Sequence, residues 1–272
     1  MAEHNLSKTR TCAAIRMSRS SWYRPPPLQE RRDREVIEAL NALVEKHPRW
    51  GFWKSYDRLR IFGQPWNHRR VYRVYKAMNL NLLRRTKRRL PKRVQQPMVV
   101  EARANAEWSL DFMSDTLYHG RRFRTLNVLD EGVREALDIV IDTSVPGGRV
   151  VRTLDRLIEW RGKPDAIRVD NRPEYLSHVS ADLCRDNGVK LIYIQPGKPN
   201  QNAYIERFNR TYRHEVLNAY VFESLRQVGK ITRAWITEYN EERPHNSLGK
   251  IPPAMFRRQV ENARNSTSEL SH

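Results

Sequence analysis

Three acidic residues, Asp111, Asp170 and Glu206, each lie in a sequence context suited to holding a divalent metal ion. Mg²⁺ prefers oxygen ligands, and proteins usually bind it with one or two carboxylates plus substrate phosphate oxygens. Two such ions about 4 Å apart can activate an attacking oxygen and stabilise a leaving one. Acids brought from distant positions onto neighbouring elements suit that role, so the pattern predicts phosphoryl-transfer chemistry on a nucleic acid.

The two aspartates are predicted on strands. Asp111 is at the centre of the run WSLDFMSD, where burying a charge is costly unless a cation or another partner compensates it. A strand could equally turn Asp111 to water, and Asp115 would face the same side as a second candidate. Asp170 ends the run AIRVD, at the carboxyl end where sheets of this kind place chemistry, although Asp also favours simple turns.

The glutamate is predicted on a helix that follows a loop rich in Gly, Pro and Asn. Residues that share the helical face of Glu206 are Asn202, Asn209 and Arg213. Such a face can offer a carboxylate to a metal and amides and a guanidinium to DNA, but it also fits a solvated polar surface. Aromatic residues of the same helix, expected in the core rather than stacked on bases, are Tyr204, Phe208 and Tyr212.

Charge is distributed unevenly along the 272 residues. The net charge is +19 and the isoelectric point is about 10.4, which favours a polyanionic partner. Residues 1–100 contain 24 Lys and Arg against 7 Asp and Glu, whereas residues 101–272 contain 26 against 24. The first part is therefore predicted to hold phosphate backbone. A solubilising basic surface is the alternative, although Trp, Tyr and Leu recur at helical spacing in the same part.

Several protein classes are disfavoured. The only cysteines are Cys12 and Cys184, and no Cys or His pair has zinc-ligand spacing, which argues against a disulfide framework and a zinc finger. No apolar run approaches the roughly 20 residues that span a bilayer. The N-terminus has no hydrophobic signal core. We therefore expect a cytoplasmic protein with no membrane partner.

The basic part is predicted to be helical. Residues 1–24 suggest part of a helix-turn-helix, and residues 29–83 a second helical DNA-binding domain with helices over 29–46, around 52–61 and after Asn67. Positions of the last helix available to phosphates are Arg69, Arg70, Arg73 and Lys76. An ordinary three-helix bundle with a charged face is the alternative. Residues 84–100 are predicted to be a linker that follows DNA through Arg84, Arg85, Lys87, Arg88 and Arg89.

Residues 101–260 predict a mixed sheet flanked by helices, in the order β-β-β-α-β-α-β-α. Three runs over 107–117, 121–129 and 134–142 suggest an antiparallel meander. The first helix is predicted to end at Gly162, with an apolar stripe of Val150, Val151, Leu154, Leu157, Ile158 and Trp160. A final helix is expected near 224–239, and residues 261–272 are expected to be a disordered tail. This α/β arrangement is that of the RNase H-like fold.

The motifs WSLDFMSD, VDNRPEY, PGKPNQNAYIERFNRTYRHEVLN and YNEERPHNSLG resemble the retroviral-integrase-like transposases of bacterial insertion sequences. The similarity is to the second-frame (OrfB) product and covers about residues 30–257. It implies an integrase catalytic core of the DDE type, in which Asp111, Asp170 and Glu206 bind two Mg²⁺ or Mn²⁺ ions. It also implies cleavage of the element's ends, followed by attack of a 3′-hydroxyl on target DNA without a covalent protein–DNA intermediate.

The resemblance also implies partners. The first is double-stranded DNA, which includes the terminal inverted repeats and the target. The chain is also expected to form a homo-oligomer of two or more copies and to act with a first-frame partner or as a fusion. Its expected location is the bacterial nucleoid. The resemblance implies that Asn202 and Arg213 contact DNA near the metals. Further residues predicted to bind DNA are Asn171, Arg172, Lys198 and Asn209. The family commonly has Gly where this chain has Arg172. A DNA-binding regulator without catalysis and a nuclease that does not recombine DNA remain alternatives.

Overall fold

The computed structural model describes residues 7–18, 20, 28–82, 100–171, 178–195 and 199–269. The chain divides into two units, Met1–Leu83 and Arg84–His272. The predicted linker over 84–100 lies outside the described residues except for residue 100. Within the described ranges, no helix is both long enough and apolar enough to cross a membrane.

The described part of the first unit is helical. Its helices are α1 (Lys8–Ala14), α2 (Leu28–Lys46), α3 (Phe52–Ile61) and α4 (His68–Ala77). The Asn67 side chain begins α4 by accepting a hydrogen bond from the Arg69 backbone amide at 2.9 Å, a role that short polar side chains favour. A core shared by the last three helices contains Val36, Leu40, Leu43, Leu59, Val71, Val74 and Tyr75. The three helices predicted over residues 29–83 are confirmed.

The second unit is built on a five-stranded mixed sheet. Strands β1 (Glu107–Thr116), β2 (Arg122–Asp130) and β3 (Glu135–Asp142) form an antiparallel meander, as predicted. Strands β4 (Ala166–Val169) and β5 (Lys190–Tyr193) join in parallel, so the order is β3-β2-β1-β4-β5. Strand β4 therefore lies beside β1, which carries Asp111, and β5 forms the edge of the sheet.

The two faces of the sheet have separate cores because alternate residues of a strand point to opposite sides. Trp108, Leu110 and Phe112 of β1 pack on one face, with helices α5 (Gly147–Arg161) and α6 (His178–Asp186). On the other face lie α7 (Ala203–Tyr212) and α8 (Leu225–Glu241). The odd-numbered residues of β1, which include Asp111, belong to this second face.

Helix α7 follows a short 3₁₀ turn over Pro199–Asn202 and continues into a π-helical turn over Arg213–Leu217. Its residues Phe208 and Tyr212 are fully buried against Trp235 of α8, and Tyr204 is partly buried. The prediction that these aromatic rings are core is confirmed for Phe208 and Tyr212.

Trp160 is not part of the buried stripe of α5, and that prediction is wrong. Its side chain is 72 % exposed, whereas Val150, Leu154 and Leu157 are buried. Trp160 occupies the last turn of α5, at the margin of the face that these three residues define, and the Arg161 guanidinium lies 5.0 Å from its ring centre. Periodicity alone does not show where the sheet beneath a helix ends.

Two predictions about the C-terminal region are also wrong. Helix α8 is not the last, because α9 (Pro253–Glu269) follows it and includes most of the expected disordered tail. Arg257 attaches the beginning of α9 to the sheet, since its guanidinium pairs with Glu261 one turn further on at 3.2 Å and with buried Glu135 of β3 at 3.0 Å. This attachment to the sheet joins residues far apart in sequence, so local composition did not indicate it.

Candidate active site

The strand register brings Asp111 and Asp170 to the same level of the sheet. In the parallel pair of β1 and β4, Ser109 lies opposite Arg168. Asp111 and Asp170 each come two residues further along, just past the last paired position. Neighbouring strands are about 4.8 Å apart, and residues two apart point to the same face. The register therefore predicts both carboxylates on the same face of the sheet, the face that α7 covers.

A chain of amides connects Asp111 to α7. The Asn209 side-chain amide donates a hydrogen bond to Oδ2 of Asp111 at 2.7 Å. Asn127, opposite Asp111 on β2 and fully buried, donates in turn to the Asn209 Oδ1 at 2.6 Å. Glu206 is one helical turn before Asn209, so its exposed side chain projects from the face of α7 that contacts Asp111. The elements that carry the three acids thus meet at one place.

Arg213 makes a second connection between the same elements. Its guanidinium donates to the Ser114 carbonyl oxygen at 2.8 Å and pairs with Asp115 at 3.2 Å. These contacts attach the start of the π-helical turn to the end of β1. Asp115, the second candidate of this strand, is therefore an ion-pair partner of Arg213. DNA contact by Arg213 remains a prediction, and 38 % of its side chain is exposed.

Asn202 precedes α7 and is buried, and its Oδ1 has no hydrogen-bond partner among the residues that the structure describes. A buried amide oxygen without a partner is costly, and such atoms often serve a bound group. Asn171, which follows Asp170, instead donates its amide to the Ile194 carbonyl oxygen at 3.1 Å. Both remain predicted DNA contacts. The predicted contacts that lie outside the described residues are Arg172, Lys198, Arg84, Arg85, Lys87, Arg88 and Arg89.

The oxygen donors fit a hard divalent cation. Among the residues that the structure describes, no three or more His, Cys, Asp or Glu side chains lie together as a group that could hold a metal ion. Mg²⁺ requires fewer, because one or two carboxylates are usually completed by water and phosphate oxygens. Asp111 and Asp170, on adjacent strands, would supply two such carboxylates. The three-acid ligand set remains a prediction.

In the first unit, two of the four predicted phosphate-binding residues have an acidic partner. Buried Asp33 of α2 pairs with Arg70 at 3.0 Å and with Arg73 at 2.5 Å. These arginines hold the Asp33 pKa below its usual value, although burial of the carboxyl opposes them. Arg69 and Lys76 are exposed on the same helix.

Two functional candidates, Asn127 and Arg168, were missed in the sequence. Asn127 lies in the apolar strand run TLNVL, and a buried amide in such a run is a signal that something must satisfy it. Arg168 is the one charged residue in the four-residue strand AIRV, and its side chain is only 12 % exposed. Both signals were present, but their partners are 82 and 61 residues away in sequence.

Comparison with known proteins agrees with this architecture. Residues 101–199 and 187–253 match the family described as integrase core domain, and residues 30–89 match the HTH-like domain. Among solved structures, the simian T-cell lymphotropic virus intasome has a chain with a TM-score of 0.52. The two are 13 % identical, and the match covers 74 % of this chain and 73 % of the other. The class of protein is thus an integrase-type catalytic core of RNase H-like fold with a helix-turn-helix-like region.

Relatives narrow the class to a family. A 39.2 kDa protein of insertion element IS476 from Xanthomonas euvesicatoria is 38 % identical, over 94 % of this chain and 74 % of its own length. A 31.7 kDa protein of IS407 from Burkholderia multivorans is 38 % identical, over 93 % of this chain and 91 % of its own length. The IS2 transposase InsD of Escherichia coli is 24 % identical, over 84 % of this chain and 79 % of its own length. The chain belongs to the insertion-sequence transposases of the OrfB type, whose activity is DNA transposition.

Proposed function

We propose that this chain is a metal-dependent transposase that cuts the ends of its insertion element and joins them to target DNA. The observation that supports it best is the convergence of β1, β4 and α7, the elements that bear Asp111, Asp170 and Glu206. Water attacks the phosphorus at the element's end and the 3′-oxygen leaves with a proton. The released 3′-hydroxyl then attacks a target phosphodiester, and a target 3′-oxygen leaves.

Asp111, Asp170 and Glu206 would hold two Mg²⁺ or Mn²⁺ ions. When bound, these ions supply charge to activate the attacking oxygen and stabilise the leaving one. The chain's own task is positioning, because phosphoryl transfer needs little covalent help from the protein. Asn127 and Asn209 fix the rotamer of Asp111, and Arg213 fixes the end of β1 against α7. The Asn202 amide is available to DNA or to an ion's water.

Binding of double-stranded DNA is assigned to the first unit and to the polar face of α7. The support is the concentration of Lys and Arg in residues 1–100 and the exposed cations Arg69 and Lys76 on α4. If the basic part neutralises 6–10 phosphates, affinity falls roughly 10³–10⁵-fold between 50 and 200 mM salt. We also propose that two or more copies assemble on DNA, since two element ends must be joined, with a first-frame product or fusion as a further partner.

The experiment that tests the activity mixes the purified full chain with the element's terminal repeats and Mg²⁺, and follows cleavage and joining. Asp111→Asn, Asp170→Asn and Glu206→Gln should each lose about 4 kcal/mol of transition-state stabilisation, or roughly 10³-fold in rate. DNA affinity should persist in all three. The matched control is Glu159→Gln, an exposed glutamate on α5, and it should keep the wild-type rate.

The outcomes separate the proposal from its alternatives. DNA binding without any metal-dependent product would identify a DNA-binding protein without catalysis. Cleavage without joining would identify a nuclease of the same fold. Full activity in any one of the three acid variants would exclude that residue from the site.

A further inference from the structure

A partly buried arginine of β4, close in sequence to Asp170, contacts β1 and the turn that leads into α7. Arg168 is the third residue of β4 and precedes Asp170 by two positions, so both belong to the same face of the sheet. Only 12 % of its side chain is exposed. Its neighbour across the strand pair is Ser109, which precedes Asp111 by two positions on β1.

The Arg168 guanidinium reaches in two directions. Its Nε forms an ion pair with Glu107, at the start of β1, whose side chain is 13 % exposed. Its Nη1 donates a hydrogen bond to the Gln201 carbonyl oxygen at 2.5 Å, within the 3₁₀ turn that leads into α7. The Gln201 side chain in turn accepts a hydrogen bond from the Gln195 backbone amide at 2.9 Å. One side chain therefore connects β4, β1 and the entry to α7.

A second carboxylate lies in the field of this guanidinium. Glu131, just after β2, is fully buried. Burial raises its pKa to about 7, against the opposing effect of Arg168 and with a further rise from Glu107. Glu107 and Glu131 therefore both lie in the field of Arg168, and Arg134 adds a second positive charge near Glu131. Arg168 offsets part of the negative charge that these acids carry when they are ionised. Lys would supply the charge but not the planar fork that serves a carboxylate and a carbonyl together.

We propose that Arg168 is a positioning residue, which sets the start of α7 against β1 and β4 so that Glu206 is held beside Asp111 and Asp170. The inference rests on the proposed function, because it concerns the same acids. Arg168 contacts Glu107 and the Gln201 carbonyl oxygen. Its effect passes through the backbone of Gln201 and the strand that ends at Asp170.

The contribution of Arg168 differs from ordinary stabilisation. Residues that orient metal ligands typically change metal affinity or activity 10–100-fold when they are altered. A purely structural ion pair would instead lower the unfolding temperature and leave the properties of the folded fraction unchanged. Turnover at saturating DNA, together with metal affinity, therefore separates the two roles.

The test compares Arg168→Lys with Arg161→Lys in the full chain. Arg161 is a matched control because its guanidinium also forms an ion pair, with Glu135, and its side chain is 18 % exposed, but it joins α5 to β3 away from the acids. Four quantities are measured: the thermal midpoint, DNA affinity, kcat and KM for end cleavage, and Mn²⁺ affinity from the free-ion electron paramagnetic resonance signal.

For Arg168→Lys we expect kcat to fall roughly 10–100-fold and Mn²⁺ affinity to fall about 10-fold, with KM and DNA affinity within about twofold of wild type. Arg161→Lys should lower the thermal midpoint as much or more and leave kcat and Mn²⁺ affinity unchanged. Arg168→Lys with wild-type kcat and Mn²⁺ affinity would overturn the inference.

Two further outcomes are decisive. If Arg168→Lys does not fold, Glu107→Gln removes the same ion pair from the β1 side, and an unchanged kcat and Mn²⁺ affinity there would equally overturn the inference. If the wild type binds Mn²⁺ but cuts no DNA under any condition, the proposed function fails. The Mn²⁺ comparison between Arg168→Lys and Arg161→Lys then decides the positioning role by itself.

Discussion

The two units each bury a small charge cluster, with opposite composition. In the helical unit, one buried acid, Asp33, is shared by Arg70 and Arg73, which are 36 % and 47 % exposed. In the sheet unit, one partly buried cation, Arg168, is shared by Glu107 and Glu131. The first cluster has two cations for one acid, and both arginines are partly exposed. In the second cluster two acids share Arg168, and Arg134 adds a further positive charge near Glu131.

Under the proposed function, this difference would suit the two units to two kinds of ligand. A single acid orders the two arginines of the helical unit without neutralising both, so they would still attract phosphates. In the sheet unit, which would present carboxylates to a cation, Arg168 would offset some of the negative charge.

The largest effect is expected at Asn127. Asn127→Leu removes the donor that orients Asn209, so Asp111 loses the fixed hydrogen bond to its Oδ2. We expect end cleavage to fall roughly 10–100-fold with DNA affinity unchanged. The rate of this cleavage step is measured in a single turnover on pre-bound DNA. As a control, Asn240→Leu, at another buried amide that bonds Ala136 of β3, should lower stability but keep the single-turnover rate of the folded protein.

The second prediction concerns Glu131, the fully buried acid near Arg168. Because burial raises the folded-state Glu131 pKa to about 7, the folded protein binds more protons than the unfolded chain between about pH 4 and 7. Stability should therefore fall as pH rises through this window. Glu131→Gln should be more stable than wild type at pH 8 by roughly 1–3 kcal/mol and similar to it at pH 4.5. Urea unfolding at both pH values measures it, and a pH-independent difference would contradict the assignment.

The third prediction concerns Asp33 in the helical unit. Asp33→Asn leaves Arg70 and Arg73 without their anionic partner, and we expect the first unit to lose about 1–2 kcal/mol of stability. DNA affinity should nevertheless rise at low salt, with a slope against log salt that is steeper by about one. The Asp33 pKa is lowered in the folded state. The greater stability of the wild type over Asp33→Asn should therefore disappear as the pH falls below the usual pKa of an aspartate. Weaker DNA binding would show that ordering the arginines matters more than their net charge.

Much of this architecture could be predicted because local signals agree with the tertiary structure. The meander, the cap at Asn67 and the strand-end position of Asp170 follow from alternation, capping and turn chemistry within short windows. Sequence spacing also predicted that Asn209 and Glu206 share a face of α7. Trp160 and α9 were not predicted correctly, because their environment depends on where the sheet ends and on Arg257 reaching Glu135.

The two buried polar networks could not be derived from the sequence for the same reason. Arg168 and Asn127 each make contacts across more than 30 residues, and nothing within a helical or strand period specifies those partners. A buried charge in a four-residue strand indicates that a partner exists. It does not indicate whether that partner is a carboxylate, a carbonyl or a ligand.

The smallest effect is expected at the exposed cations of α4. Arg69 and Lys76 have no role in the Asp33 cluster, so replacing either with Ala should remove about one phosphate contact. The magnitude of the slope of log affinity against log salt should fall by about one for each variant. The free energy of unfolding should change by less than about 0.5 kcal/mol. Fluorescence anisotropy with end DNA at several salt concentrations measures the slope. If Arg69→Ala and Lys76→Ala leave it unchanged while Arg70→Ala lowers it, DNA contacts the paired arginines instead, and the Asp33 cluster is itself part of the binding surface.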